Sequence, residues 1–350
     1  MTAGLLTFAV ALVASLVITL PVRQFAVHIG MVDRPGPRKI HLQPIPLLGG
    51  IAIYTSVLLG LVVSKSGEPL SEILAILAGA TLLLVVGTLD DRGLLHHQLK
   101  LFVAMPLAGL IVLSSGIHAR VFSTLLPGPL GSLPDSVATL LWITAITAAF
   151  SILDYMDGLC AGIAAVASFF LAILALLNGQ LLAGTLAAAV TGAALGFLRW
   201  NFSPAKIFMG DGGAMLLGFL VATLALELRT NGTSRKISWL ALILVLAVPI
   251  FDTTLVSISR LRRGLIPFTS PGKDHTGHRL ANSGLSTRAS VLIMYAVGVG
   301  FGLLAIFSTR LNPGQLIKLA VIVVVCSVAA IALLERLPYE KQVPRSDSPS

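Results

Sequence analysis

Long apolar stretches alternate with short polar ones along the chain, and each is close to the roughly 20 residues a helix needs to cross a bilayer. They fall at 2–22, 47–64, 70–89, 100–118, 136–153, 158–177, 180–198, 211–228, 237–257, 288–309 and 314–335. The pattern predicts an all-α polytopic membrane protein of about eleven transmembrane helices. The first stretch has no basic residue before it and Arg23 behind it. That is the reverse of a signal peptide's charge order, so this segment is expected to remain, with the N-terminus outside. On that topology 17 of the 24 Lys and Arg fall in cytoplasmic loops, and the same bias puts the C-terminus inside. Residues 1–337 then form a single membrane domain, and Pro338 to Ser350, rich in Pro, Ser and charge, reads as a disordered cytoplasmic tail.

Composition narrows the class without changing it. The chain is 56% hydrophobic and 11% charged, with a mean hydropathy of +0.94, which excludes an ordinary soluble domain. The formal charge of +9 is spread through short loops with no aromatic-interleaved patch, so it points to the membrane surface and not to nucleic acid. Cys160 and Cys326 lie in apolar runs with no partner at metal spacing, implying neither a disulfide framework nor zinc. No repeat of the kind found in solenoids or inverted-topology transporters is present.

The predicted topology gathers the acids on the cytoplasmic face. Asp90 and Asp91 follow the third segment, Asp154 and Asp157 lie at the 5/6 junction, Asp211 follows the seventh, and Asp252, Lys273, Asp274, His275 and His278 belong to the 9/10 region. Carboxylates at a membrane edge are costly and are retained for ion, phosphate or proton chemistry. Asp154 and Asp157 stand three apart in sequence of helical period, so they are expected to share one helix face. The plain alternative is a pair of first-turn acids complementing a helix dipole, with Gly158 as the break. Adjacent Asp90 and Asp91 repel one another and need a cation or proton; Mg²⁺ takes such oxygens together with substrate phosphates. Lys100, ten residues after Asp90, could return to the same place, although DDRG can also be a simple turn.

Three further stretches carry candidate chemistry. In Lys206 to Gly213, KIFMGDGG, Asp211 is flanked by Gly210, Gly212 and Gly213 ahead of an apolar helix. Backbone there could approach a phosphate while the acid faces a metal, or the stretch could be a glycine-rich turn. Met31 to Gly50 is a proline-rich loop carrying Arg34, Arg38, Lys39 and His41, suited to an anionic headgroup or nucleotide, or serving only to orient the chain. In Pro249 to Leu280, Arg260, Arg262 and Arg263 precede His275 and His278. These histidines could read phosphate or act as acid and base near neutral pH; zinc binding and a structural pair are the alternatives.

In order, VDRPGPRKIH with PIP and GG, DDRGLL with Lys100, LDYMDGL, KIFMGDGG, PIFDT and DHTGHRL resemble the polyprenyl-phosphate N-acetylhexosamine-1-phosphate transferases. The match covers roughly residues 30–285 and looks closer to the GlcNAc-type branch than to the peptidoglycan translocase. The resemblance implies an eleven-helix, multi-pass protein of the bacterial cytoplasmic membrane with its active site on the cytoplasmic face, and a homodimer is compatible with it. It implies transfer of a sugar-1-phosphate from a UDP-sugar donor to a polyprenyl phosphate acceptor, with release of UMP, to start a cell-envelope glycan. The cofactor implied is Mg²⁺, with Mn²⁺ as an alternative. Asp211 and Asp91 are then metal ligands, and Asp90, Asp91, Asp154 and Asp157 the catalytic acids. Lys100, Arg38, Lys39, Lys206, Asp252, Lys273, His275, His278 and Arg279 contact substrate. Three motifs depart from the family pattern: Ser151 and Ala148 stand where asparagines are usual, Gly277 where the histidine motif has its middle histidine, and Leu47 where PIPRxGG has arginine. A non-catalytic or weakly active paralogue that binds lipid phosphate or an assembly partner is the alternative these departures suggest.

Overall fold

A computed structural model of the chain describes residues 2–35, 43–64, 70–95, 97–123, 126, 128–230, 238–267 and 272–337. Helix α1 (Thr2–His28) is followed by an antiparallel pair of two-residue strands, β1 (Val32–Asp33) and β2 (Ile45–Pro46), with Val32 opposite Pro46. Then come α2 (Gly49–Val62), α3 (Leu70–Asp91), the short α4 (His97–Leu99), a π-helical turn over Lys100–Ala104, and α5 (Met105–Ser114). The remainder is α6 (Pro129–Leu153), α7 (Leu159–Leu177), α8 (Leu181–Asn201), α9 (Gly210–Thr230), α10 (Trp239–Val245), α11 (Ala247–Arg262), α12 (Thr276–Asn282), α13 (Thr287–Ser308) and α14 (Pro313–Leu334).

Each of the eleven apolar stretches corresponds to helix, and the helices differ in length and straightness. Among the described residues eight helices, α1, α3, α6, α7, α8, α9, α13 and α14, are long and apolar enough to span a bilayer. A ninth candidate span, α10 with α11, is bent by 76°. The helix is interrupted at Leu246, and broken helices are tolerated at membrane depth where protein surrounds the freed backbone groups. The stretches beginning at 47 and 100 form shorter apolar helices, Gly49–Val62 and Lys100–Ser114. Proline 46 and its neighbours delay the start of the first, and the second opens with the π-helical turn. The tail from Pro338 lies outside the described residues.

Helix α9 is the hub, buried along almost its whole length and packed by α2, α3, α6, α7 and α8. At the other extreme, α14 is apolar all round and buries no residue, which suits a helix that meets lipid on most sides. Small residues bring α9 close to its neighbours. A Cβ built on Gly50 would stand 2.6 Å from the Gly213 Cα, and one on Gly87 would collide with the Gly212 Cα. Such contacts let helix backbones approach in a setting where packing, not the hydrophobic effect, drives association. They also decide where the acids go, because Asp91 ends α3 and Asp211 opens α9.

Candidate active site

At the shared end of α3, α5 and α9, Lys100 Nζ lies 2.6 Å from Asp90 Oδ2 and also pairs with Asp211 Oδ2. Lys100 reaches them as the first residue of the π-helical turn; such wider turns recur at functional sites. The Asp211 N–H donates to Asp91 Oδ1 at 3.0 Å. Gly210 lies in left-handed backbone with φ of 71° and faces the same carboxylate, so that a side chain there would strike Asp91. Gly212 and Gly213 are occupied in packing against Gly87 and Gly50. The glycines of KIFMGDGG therefore serve helix approach and the placing of Asp91.

The turn between α6 and α7 adds Asp154 and Asp157. Helix α6 stops at Leu153, Asp154 has φ −81° and ψ 49°, and Gly158 takes φ 79° as the residue before α7. The two acids are thus turn residues, and the expected shared helix face is not formed. Asp154 is recessed among protein atoms, though only half-buried by surface. That burial, followed by repulsion from Asp211, Asp91 and Asp157, pushes its carboxyl up to about 8. Asp157 Oδ2 accepts the Ala205 N–H at 2.9 Å, and the Gly158 N–H donates to Asn201 Oδ1 at 3.1 Å. These bonds lock the turn to the segment leading into Asp211. Lys100 thus pairs with Asp90 and Asp211, Asp91 bonds the Asp211 backbone, and Asp154 lies near enough to Asp211, Asp91 and Asp157 to feel their charge, leaving negative charge that a hard cation suits. Among the described residues no three His, Cys, Asp or Glu form a closed metal cage. Magnesium does not require one, since it commonly takes one or two carboxylates and completes its shell with phosphate and water.

A second group borders the first through Tyr155. Asp252 is buried on α11; its Oδ2 lies 2.9 Å from His275 Nδ1, and its Oδ1 accepts the Thr276 N–H at 2.7 Å. A carboxylate on Nδ1 fixes ring orientation and leaves Nε2 for other work, so Asp252 holds a histidine and is too enclosed to meet substrate itself. Burial, and next the Asp252 charge, raise the Tyr155 phenol well above its usual range, which keeps it a neutral donor. Beneath the histidines, Asp274 receives Arg260 through Nε at 3.1 Å and Nη2 at 2.9 Å, and also Arg263. Burial opposes its charge, but the two guanidiniums prevail and hold it below the usual carboxylate range.

The structure corrects the expected role of Arg279. Its side chain is fully buried and donates to Asp274 O, Leu334 O, Ser259 Oγ and Glu335 Oε1, joining α12 to the end of α14. It is a strut with no surface to offer a substrate. Lys206 is exposed with Nζ 5.6 Å from the Trp200 ring centre. Lys273 is half-buried beside Asp274. Arg38 and Lys39 lie outside the described residues.

The family model described as glycosyl transferase family 4 matches residues 73–229, the stretch that supplies all five aspartates and Lys100. Over 305 residues the chain is 37% identical to the probable undecaprenyl-phosphate N-acetylglucosaminyl 1-phosphate transferase of Bacillus subtilis (strain 168), covering 85% of this chain and 83% of the relative. The chain belongs to glycosyl transferase family 4. It is also 32% identical over 356 residues to the decaprenyl-phosphate N-acetylglucosaminephosphotransferase of Mycolicibacterium smegmatis, covering 92% and 87% of the two chains. With the undecaprenyl-phosphate alpha-N-acetylglucosaminyl 1-phosphate transferase of Escherichia coli (strain K12) it shares 30% over 299 residues.

As a family 4 transferase the protein keeps its acids together, and the residues that sequence reasoning missed are those that hold them. Asn201 bridges Gly158 N to Ile207 O, and Tyr155 links the acid turn to α12. The available signal was slight: a phenol between two motif acids, and an asparagine closing an apolar helix.

Proposed function

We propose that the chain is a Mg²⁺-dependent phosphoglycosyltransferase of the bacterial cytoplasmic membrane. It moves an N-acetylhexosamine-1-phosphate from a UDP-sugar to a polyprenyl phosphate and releases UMP, with N-acetylglucosamine the favoured sugar. The observation that carries this is one linked group of acids: Lys100 pairs with Asp90 and Asp211, Asp211 bonds Asp91, and Asp154 is close enough to Asp211, Asp91 and Asp157 to be repelled by them. The printed names of the relatives support the same reading. The chain is read as crossing the membrane eleven times, the shorter and bent helices included, with the N-terminus outside and the site at the cytoplasmic end.

The reaction brings two polyanions together, so its main demand is compensation of like charge. Asp211 and Asp91 are the residues that would hold the magnesium ion. When bound, the ion supplies Lewis-acid stabilisation of the diphosphate oxygens. Lys100 offers a positive charge beside them, and Asp90, at its other side, is placed to orient the acceptor phosphate and take its proton. Asp157 fixes the α6–α7 turn that carries Asp154 towards the donor. His275, aligned by Asp252, presents Nε2 to a phosphate oxygen with His278 beside it, and enclosure among apolar helices strengthens each of these interactions.

The test is UMP release by the purified full chain with undecaprenyl phosphate, Mg²⁺ and a panel of UDP-N-acetylhexosamines. One donor is expected to give UMP, and EDTA or Asp211→Asn to abolish it by about 10²-fold or more. A folded, lipid-supplied protein that releases no UMP from any donor would overturn the reading.

A further inference from the structure

Tyr155 stands between the two acids of the α6–α7 turn, 120 residues before the first histidine of α12's approach, yet it meets both histidines. Its ring is stacked on His275 with centroids 4.1 Å apart and planes at 28°, and tilted against His278 at 4.9 Å and 41°. Its hydroxyl accepts the Gly277 N–H at 3.0 Å and lies 3.5 Å from Asp252 Oδ1, the same carboxylate that orients His275. His275 and His278 are both nearly buried, so what packs on them helps to set their planes, together with the Asp252 carboxylate on His275.

Gly277 is the steric counterpart. A Cβ there would stand 2.9 Å from Met156 Sδ and 3.0 Å from the Tyr155 hydroxyl oxygen, so the bare glycine is what admits the phenol. Gly277, one of the two residues between the histidines, carries no side chain, and a side chain from the acid turn occupies that space.

We propose that Tyr155 is a positioning residue of the transfer reaction. Its ring sets the planes of His275 and His278, and its hydroxyl ties the start of α12 to the turn bearing Asp154 and Asp157. The acid group and the histidine group are thereby held at one separation. This rests on the reading of the two groups as a single transfer site.

The experiment compares wild type, Tyr155→Phe and Tyr155→Ala in the full purified chain. Two readouts are taken: steady-state kinetics per folded molecule, and the rate at which diethyl pyrocarbonate modifies His275 and His278, resolved by mass spectrometry. Displacing catalytic groups by about 1 Å costs up to about a hundredfold in rate. Tyr155→Ala is therefore expected to lower kcat by about tenfold to a hundredfold, with KM for donor and acceptor within about twofold. Modification of both histidines should be several times faster in that variant. Tyr155→Phe, which keeps the ring, should recover slow modification and part of kcat. With an active wild type, an unchanged kcat per folded molecule in Tyr155→Ala overturns the proposal, because a merely structural tyrosine would change only the amount of folded protein. If wild type releases no UMP, the functional reading fails on its own, and the labelling decides Tyr155: faster modification in Tyr155→Ala supports it and an unchanged rate overturns it.

Discussion

Lys100 is a compact ammonium held by Asp90 and Asp211 at once, and a guanidinium is a poor substitute for it. Arginine is planar, larger and made for bidentate pairing, so Lys100→Arg is expected to lose most UMP release, and Lys100→Ala about 10²-fold or more. Both follow from one kinetic comparison against wild type. A different balance governs Asp274, which is buried under two arginines. Replacing it by Asn leaves Arg260 in the interior without its counter-charge, at a cost of about 3–5 kcal/mol. The pH dependence follows from its lowered pKa. The unfolded carboxyl titrates near its ordinary 3.8 and the folded one below that. The stabilisation is therefore complete above that range and is lost as pH falls through the folded value. Thermal midpoints between pH 7 and pH 3 should show an acid-sensitive increment in wild type that Asp274→Asn lacks.

Helix contacts set the site more than loops do. The α2–α9 and α3–α9 approaches depend on glycine against glycine, and the Asp91–Asp211 pairing exists because α3 and α9 end and begin beside one another. A Cβ on Gly212 would stand 2.8 Å from Leu84 O and 3.0 Å from Thr88 Oγ1, both on α3. Gly212→Ala should therefore destabilise by about 1–3 kcal/mol, the usual cost of overpacking, and reduce UMP release beyond what the lost folded fraction explains. A variant with the stability loss but full activity per folded molecule would show that the helix spacing is not what places Asp211. The turn after α6 works by the opposite device: ending a helix early turns two carboxylates out of a helical ladder and towards α9.

Across the whole molecule the acids, Lys100 and the histidines gather at one end of the bundle, and the predicted orientation puts that end in the cytoplasm. Single cysteines at Thr2 and Arg336, in a chain whose Cys160 and Cys326 are replaced, test this with a membrane-impermeant maleimide on intact cells. Labelling is expected at position 2, and at 336 only after permeabilisation. The reverse pattern would invert the topology. The tie from Arg279 to Leu334 and Glu335 also joins the lipid-facing α14 to α12, so Glu335→Gln should loosen α12 and lower thermal stability.

Apolar runs of bilayer length were enough to establish a helical membrane protein, because backbone groups in lipid must be satisfied within the segment. The ordered motifs singled out the acids and Lys100 as candidates for the same kind of reason: charge is costly at a membrane edge. Tertiary structure decided the rest. Hydropathy counts apolar residues but does not register a 76° bend at Leu246, and among the described residues the eleven predicted segments appear as eight long helices, a bent pair and two short helices. Spacing put Asp154 and Asp157 on one helix face, yet α6 ends before them and both stand in the turn ahead of Gly158, since helix termination depends on what Asn201 and Ala205 offer from another segment. Arg279 looked like a ligand for anions because charge is visible in a sequence and burial is not. Tyr155 was passed over because its partners lie more than a hundred residues away, and contacts at that separation exist only once the helices have packed.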